Sequence, residues 1–271
     1  MSTLRFDTVD TVDSRACVAY LDVATQVGMQ LGIKQRNIDL LELRDGETAL
    51  DVGCGTGQDV CTMARFVGHS GRVIGIDSSL TMVTEARQRT GGLGLPVEFH
   101  QADVYDLPFD DGVFDACRAD RIFHFLNRPA AALRETIRVT RVGGRIAVTE
   151  PDWSSLSIEG GDDALTHTVV RATISDGIGP ASIGARLPRL FAYCGLAVDK
   201  VVDSSLNLDD LATCRYLLQL DTLAGRAVAQ GRLSADDARA WIASLEHAFS
   251  GGRLHCRLEG LTVVGTKRAV E

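Results

Sequence analysis

A glycine-rich stretch at residues 49–59, ALDVGCGTGQD, constrains the fold of this 271-residue chain more than any other part of it. Apolar Leu50 and Val52 lead into three glycines spaced by one residue, and an apolar pattern with helical spacing follows. Glycine permits positive φ and lets a ligand approach the backbone, and the helix that follows presents free N–H groups. The stretch therefore predicts a strand, a tight turn and a helix that bind a nucleotide-type ligand.

Short apolar strands alternate with helices over the first 150 residues, which is typical of a parallel, doubly wound α/β sheet. Such sheets bind ligands at the carboxyl ends of their strands. Two helices are expected within 10–43, and Gly32 and Asn37 suggest a break between them. After them the pattern predicts strands at 48–52, 72–79, 97–101, 113–117 and 145–149, and helices at about 58–68, 80–89 and 129–140.

The pattern loosens after residue 153. It predicts a helix and a glycine-rich link within 158–180, a helix at 183–194, a strand at 196–206, helices at 208–230 and 234–249, and a last strand at 261–267. The helices from 208 to 249 interrupt the final two strands, so we interpret about 207–250 as a helical cap inserted over the active site. We expect one structural domain that comprises an N-terminal helical lid (1–44), a ligand-binding core (45–153) and a remainder that completes the sheet and carries the cap (154–271).

Composition excludes several classes of function. A net charge of −8 makes nucleic acid an unfavourable partner, and no apolar run approaches the ~20 residues of a membrane span. The N-terminal residues are polar and acidic, unlike a signal peptide. Seven scattered cysteines without a C-x-x-C pair favour a reducing compartment, with no disulfide framework and no zinc site. We therefore expect a cytoplasmic protein that binds no metal, membrane or nucleic acid.

The glycine spacing narrows the choice of ligand. A dinucleotide fingerprint, G-x-G-x-x-G from Gly53, requires glycine at position 58, where the chain has Gln58, and no G-K-[ST] follows for a P-loop. Asp77 ends the second strand, where it can accept hydrogen bonds from ribose hydroxyls. Asp103 ends the third strand, where an adenine edge would lie.

These residues resemble the class I S-adenosylmethionine-dependent methyltransferases, and most closely their small-molecule branch related to ubiquinone and menaquinone biosynthesis. The resemblance covers about residues 45–153. Its motifs are D-V-G-C-G-T-G at 51–57, the set Asp77, Ser79, Met82, Ala86 and Arg87, the pair of Asp103 with LPF at 107–109, and Ile137, Arg138, Val139, Gly143, Gly144 and Arg145. It implies a Rossmann-like, mostly parallel seven-stranded sheet, and S-adenosylmethionine as cofactor with S-adenosylhomocysteine as product.

The resemblance also implies roles for individual residues. The turn would hold the methionine part with Asp51 near its amino group, Asp77 would hold the ribose, and Asp103 with the N–H of Val104 would bind the adenine. Met82 would flank the adenine, although core packing explains it nearly as well. Residues at the end of the fourth strand would lie close to the sulfonium. The predicted cofactor-binding set is Asp51, Gly53, Gly55, Gly57, Asp77, Ser78, Met82, Ala102, Asp103, Val104, Arg118 and Ala119.

Methyl transfer from a sulfonium requires alignment of donor and acceptor, and a general base only where the acceptor proton is not easily lost. His124, Glu150 and Tyr20 are the candidate catalytic residues, although relatives often carry their histidine where this chain has Phe125. Surface placement of His124 and packing of Tyr20 are the alternatives.

Trp153, Asp152 and Arg186 are the candidate substrate-binding residues. Asp152, which is also a possible base, suits a loop cap equally well, Trp153 suits a core anchor, and Arg186 suits a solvated helix charge.

The expected function is methylation of an O, N or C atom of a small-molecule metabolite, of natural-product or quinone-like type, by a monomer or homodimer. Two alternatives retain the cofactor site. One is a cyclisation or rearrangement in which the bound sulfonium transfers no methyl group, and the other is a non-catalytic cofactor-binding protein. A nicotinamide oxidoreductase does not fit the glycine spacing.

Overall fold

A computed structural model describes residues 6, 9–11, 13–176 and 181–269 of the chain. Part of the predicted glycine-rich link, 177–180, therefore lies outside the described residues. The helices are α1 (Ser14–Gln30), α2 (Ile33–Asp39), α3 (Gln58–Val67), α4 (Leu80–Thr90), α5 (Pro129–Val139), α6 (Asp163–Asp176), α7 (Ile183–Tyr193), α8 (Leu211–Leu217), α9 (Leu220–Ala229) and α10 (Ala235–Ser250). The strands are β1 (Thr48–Val52), β2 (Arg72–Asp77), β3 (Val97–Gln101), β4 (Phe114–Asp120), β5 (Thr140–Pro151), β6 (Ser157–Glu159), β7 (Ala197–Asp203), β8 (Leu206–Leu208), β9 (His255–Leu258) and β10 (Gly260–Thr266).

The main sheet has seven strands in the order β3-β2-β1-β4-β5-β10-β7. Strands β1 to β5 are parallel, and β10 runs antiparallel to both of its neighbours. The strand order reverses between β1 and β4, and this switch point leaves a crevice at the carboxyl ends of those two strands. The prediction of a doubly wound, mostly parallel seven-stranded sheet is confirmed.

Helices cover both faces of this sheet because consecutive strand residues point to opposite sides. Ala49 faces a core that includes Ile38 of α2 and Val60 of α3. Its neighbour Leu50 faces the other core, which includes Leu133 of α5 and Phe191 of α7. The sheet is therefore buried on both sides, as its almost continuous apolar strands predict.

A second cluster of elements lies beyond the carboxyl edge of the main sheet. It contains a three-stranded antiparallel sheet, ordered β6-β9-β8, with helices α6 and α8–α10. Its core includes Trp241, whose Nε1 donates to Thr166 Oγ1 over 2.9 Å, and Ala24 of α1 packs against it. Helices α8–α10 fall between β7 and β10 in the chain, where the sequence predicts the cap.

Several element boundaries differ from the sequence predictions. The helix expected at 208–230 is two helices, α8 and α9, because Gln219 adopts a left-handed φ of 54°. The break at Gly32 is confirmed by its φ of 69°, whereas Asn37 lies inside α2. Strand β4 continues to Asp120, and β5 continues to Pro151. Strands β6, β8 and β9 were not predicted, because three or four residues are too few to show a period.

Candidate active site

A cavity of about 860 Å³ lies over the carboxyl ends of the main-sheet strands, at the switch point. Residues at the ends of β1, β2 and β3 form one half of its wall. Helix α1, the ends of β5 and β7, and the cap form the other half. Of the predicted site residues, those that line the cavity are Tyr20, Gly53, Gly55, Asp77, Ser78, Met82, Ala102, Asp103, Val104, His124, Glu150 and Trp153.

The glycine turn has the backbone that its spacing predicts. Gly53, Gly55 and Gly57 all have positive φ, at 73°, 52° and 80°. A Cβ on Gly53 would lie 2.4 Å from Ile122 Cγ2, so the loop after β4 packs directly on the turn. Gly57 is outside the cavity wall, and a Cβ there would meet the Phe99 ring at 2.8 Å. The first two glycines therefore shape the cavity, and Gly57 serves packing.

Asp77 links the glycine turn to β2. Its Oδ2 accepts from Gly55 N over 3.0 Å, and its Oδ1 accepts from Ser79 N over 2.9 Å. Burial raises the pKa of this carboxyl above its ordinary value. Each oxygen retains a further lone pair, so the carboxylate at the cavity wall can still accept hydrogen bonds from a ligand.

Met82 and Asp103 both have structural contacts and both border the cavity. Met82 is buried in a small core with Val9 and Cys17, and it also borders the cavity. Asp103 Oδ1 accepts from Tyr105 N over 2.9 Å, which is a turn contact, and Asp103 also lines the cavity beside Val104.

Asp51 and Arg118 lie outside the cavity wall, in a buried ion cluster. Arg118 Nη1 lies 3.0 Å from Asp51 Oδ1, and Arg118 Nη2 lies 2.7 Å from Asp120 Oδ2. Burial raises the pKa of Asp51 to about 6, although the Arg118 cation acts to lower it. Asp51 and Arg118 bind each other, and Ala119 is a core residue of β4. Their places near the cofactor amino group and the sulfonium stay predictions.

Three members of this cluster border the cavity, and the sequence analysis named none of them as a site residue: Lys34, Asp120 and Arg121. Lys34 Nζ lies 2.6 Å from Asp120 Oδ2 and 2.6 Å from Asp59 Oδ2. Burial acts to raise the pKa of Asp120, but the Lys34 and Arg118 cations lower it overall. An acid at a strand end was a usable signal, as at Asp77 and Asp103, but β4 was predicted to end at Cys117. No sequence pattern indicated Lys34.

Glu150 and His124 form a buried pair between the two halves of the cavity. His124 Nδ1 lies 2.6 Å from Glu150 Oε2, and Phe123 N donates to Glu150 Oε1 over 2.6 Å. Glu150 is fully buried and His124 is 6% exposed. Among the described residues, none hydrogen-bonds to His124 Nε2. Glu150 lies within β5, not after it. His124 stands one position before the histidine of the family pattern, and its ring still lies at the cavity wall.

The remaining predicted residues have structural contacts. Tyr20 OH donates to Leu217 O over 3.0 Å, and burial raises the pKa of its phenol; we therefore do not propose Tyr20 as a base. Asp152 caps the short 3-10 helix Trp153–Ser155 by accepting from Ser154 N, and it does not line the cavity. Arg186 is an exposed residue of α7, away from the cavity. Trp153 does border the cavity.

Comparison with known proteins identifies the family. A methyltransferase-domain family model matches residues 50–148. The 2-phytyl-1,4-naphthoquinone methyltransferase of Thermosynechococcus vestitus is 37% identical over 126 residues, which cover 45% of this chain and 56% of that enzyme. The chain belongs to the class I S-adenosylmethionine-dependent methyltransferases.

Two further comparisons extend over more of this methyltransferase. An uncharacterized 37.1 kDa protein in a transposon of Streptomyces fradiae is 39% identical over 234 residues, which cover 86% of the chain and 67% of that protein. The crystal structure of the [4+2]-cyclase SpnF has a TM-score of 0.57 at 23% identity, over 88% of this chain and 80% of that one. The second likeness shows a shared fold and nothing about the reaction. The chain spans about half the length of the quinone methyltransferase it matches.

S-adenosylmethionine is the cofactor of this methyltransferase, and the wall at β1–β4 fits it. The molecule carries an ammonium and a sulfonium group, and the carboxylates of Asp77 and Asp103 border this half, whereas Asp120 there is already paired with Lys34 and Arg121. Gly55 also borders this half, and a Cβ on it would lie 3.0 Å from Leu21 Cδ1. The chain's own residues therefore supply acceptors for the ribose and for a cationic ligand.

The other half of the cavity is mostly apolar. Side chains from α1, β8, β9 and the cap form it, together with aromatic rings from three separate parts of the chain. They are Tyr20, Ala24, Val27, Phe125, Trp153, Leu206, Leu217, Leu218, Leu223 and Leu258. Within the segments that the structure describes, none of the helices combines the length and the apolar character needed to cross a bilayer, and no cluster of three or more potential metal ligands is found.

Proposed function

We propose that this methyltransferase methylates a small, largely apolar metabolite that bears a hydroxyl group, with His124 as the general base. The observation that carries this proposal is the 2.6 Å contact between His124 Nδ1 and Glu150 Oε2 at the cavity wall. We propose natural products, including quinol-like compounds, as the class of substrate. The name of the Thermosynechococcus relative supports the quinol-like part of this class.

The carboxylate of Glu150 determines which imidazole nitrogen is basic. A buried carboxylate accepts a hydrogen bond, so Nδ1 of His124 carries the proton and Nε2 carries the lone pair. Phe123 N also donates to Glu150, which holds the carboxylate in place. The pair has the arrangement of an orienting carboxylate and a general base.

The position of the pair agrees with this role. His124 follows β4 and Glu150 lies in β5. Both therefore lie between the half of the cavity that Asp77 and Asp103 border and the apolar half. Asp77 and Asp103 would hold the cofactor, which would supply the methyl group. An acceptor in the apolar half would have its hydroxyl group next to His124.

The reaction requires little from the protein except alignment and removal of a proton. Bound cofactor supplies an electrophilic methyl group on a positive sulfur, which leaves as S-adenosylhomocysteine. The acceptor oxygen, or a ring carbon activated by it, forms the new bond to the methyl carbon as the carbon–sulfur bond breaks. The acceptor proton passes to His124 Nε2 and then to solvent.

We also propose that the N-terminal helices, 1–44, and the inserted cap, about 207–250, enclose the acceptor as part of one structural domain. Tyr20 of α1 and Leu217 of α8 support this proposal, because their hydrogen bond connects the two parts at the cavity wall.

The test is a mass balance on the purified protein. Cofactor labelled in its methyl group is incubated with a panel of phenols, naphthols and quinols, and both products are quantified by mass spectrometry. The proposal predicts one S-adenosylhomocysteine for each methylated product. A cyclisation or rearrangement would change an acceptor without releasing S-adenosylhomocysteine, and a non-catalytic binding protein would give neither product.

A further inference from the structure

Two buried N–H groups of cavity-lining residues have no hydrogen-bond partner within the part of the chain that the structure describes. Asn37 Nδ2 and Trp153 Nε1 are buried atoms without a hydrogen bond to any part of the chain that the structure describes. Both residues line the cavity. Buried donors in native proteins are nearly always paired, so two unpaired donors along one cavity point to a ligand that pairs them.

Asn37 is held rigidly by its other amide atom. Its Oδ1 accepts from Thr262 Oγ1 over 3.0 Å and from Ser204 Oγ over 3.1 Å. Thr262 Oγ1 lies 2.8 Å from Thr149 Oγ1, which extends this hydroxyl chain to β5. Asn37 is only 1% exposed. The amide oxygen therefore points to the strands, and the Nδ2 donor is fixed without help from the ligand.

The hydroxyl chain and the His124–Glu150 pair lie on opposite sides of β5. Thr149 and Glu150 are consecutive strand residues, so their side chains point to opposite faces of the sheet. Thr149 belongs to the chain that holds Asn37, and Glu150 holds His124. A molecule that lies across the end of β5 therefore meets a donor at one wall and the proposed base at the other.

We propose that Asn37 and Trp153 bind an oxygen atom of the acceptor that is separate from the group to be methylated. This inference rests on the proposed function, in that the apolar half holds the acceptor. Val27, Leu206 and Leu258 line the same half, so the fitting class is an apolar ring compound with a carbonyl, ether or second hydroxyl oxygen. The two donors select for that oxygen, because a molecule without it leaves them unpaired.

The test uses 1-tetralone and tetralin, which share a ring skeleton and differ by a carbonyl oxygen. Dissociation constants are measured by calorimetry on the full chain saturated with S-adenosylhomocysteine, so no turnover takes place. Wild-type protein should bind 1-tetralone at least about tenfold more tightly than tetralin. In Asn37→Leu, Trp153→Phe and the double variant this ratio should fall towards one, with the tetralin affinity unchanged.

Trp241→Phe is the matched control. It also removes a buried indole N–H, but one that already donates to Thr166 in the cap core. Its binding ratio should equal that of the wild type. Binding of S-adenosylhomocysteine verifies that each variant is folded; if Asn37→Leu and the double variant fail this check, Trp153→Phe alone decides the result.

Three results would overturn the inference: no preference for 1-tetralone in the wild type, the same preference in the folded variants, or binding of neither compound. Failure of the proposed function is separate from all of them. A protein that prefers 1-tetralone through these donors but methylates no phenol, naphthol or quinol would retain the oxygen site and lose the proposed reaction.

Discussion

Glu150 holds His124 through two of that residue's nitrogens. Oε2 of the carboxylate lies 2.6 Å from the ring Nδ1 and accepts from the backbone N over 3.3 Å. Because both the backbone and the ring are bound to one fully buried group, the imidazole has a defined tautomer and a defined direction. The following variants test this pair, the buried ion cluster around Arg118, and Asp77 at the predicted ribose site.

Replacing Glu150 with glutamine should reduce kcat by about 10²–10⁴ with little change in cofactor affinity. The introduced amide nitrogen would donate towards His124 Nδ1, so the ring proton would move to Nε2 and the base would be lost. Steady-state release of S-adenosylhomocysteine measures kcat. Asp152→Asn is the control, since this nearby carboxylate caps a short helix outside the cavity; equal losses in both variants would contradict the role of Glu150.

Replacing Lys34 with methionine should destabilise the protein by about 3–5 kcal/mol, because it removes one partner of a buried ion cluster. The Lys34 side chain is 8% exposed and lies between Asp59 and Asp120. The free energy of unfolding in urea measures the effect. Lys200→Met, which removes an exposed pair with Glu42, should leave stability almost unchanged. A Lys34 variant as stable as the wild type would show that the cluster contributes nothing.

Asp51 should give the protein a distinct dependence of stability on pH. Burial raises its pKa from 3.8 to about 6, so the folded state binds more protons than the unfolded state between these values. The contribution of Asp51 to the free energy of unfolding therefore falls as pH rises from about 4 to about 6. The wild-type curve minus the Asp51→Asn curve should decline over this window and be level above it. A difference that rises with pH would contradict the assignment.

Replacing Asp77 with alanine should weaken S-adenosylmethionine binding at least about tenfold, because charge-assisted hydrogen bonds to the ribose are lost. Calorimetry measures the affinity directly. Asp110→Ala provides the control, as this residue is exposed and outside the cavity wall. Wild-type affinity in the Asp77 variant would rule out the ribose site.

The sheet was predictable because the sequence patterns that indicate it lie within short stretches of the chain. The apolar run before Gly53, the glycine turn and the acids after β2 and β3 lie next to one another in the chain, and the structure places Asp77 and Asp103 at one cavity wall. Asp51 illustrates where such reasoning fails. Its partner Arg118 is 67 positions away, and no local pattern reveals which distant charge a strand acid will meet.

The residues around the proposed acceptor were less predictable, because their partners are also distant in the chain. Asn37 suggested a helix break, because asparagine is a poor helix former, yet tertiary hydrogen bonds to Ser204 and Thr262 hold it inside α2. His124 lies one position before the histidine of the family pattern, and the sequence alone does not show where its ring points. The segment is a single 3-10 turn, and Glu150 of β5 directs the ring.

The role of His124 as general base is tested most directly by the pH dependence of methyl transfer by wild type and His124→Asn, with a phenolic acceptor found in the panel. We expect wild-type kcat/KM to rise with pH to a plateau, as S-adenosylhomocysteine and methylated product form one to one. The variant should be at least about 100-fold slower at neutral pH and should rise with pH without that plateau, as the phenol ionises unaided. A variant with the wild-type rate and profile, or a wild type that consumes no methyl donor with any acceptor, would contradict it.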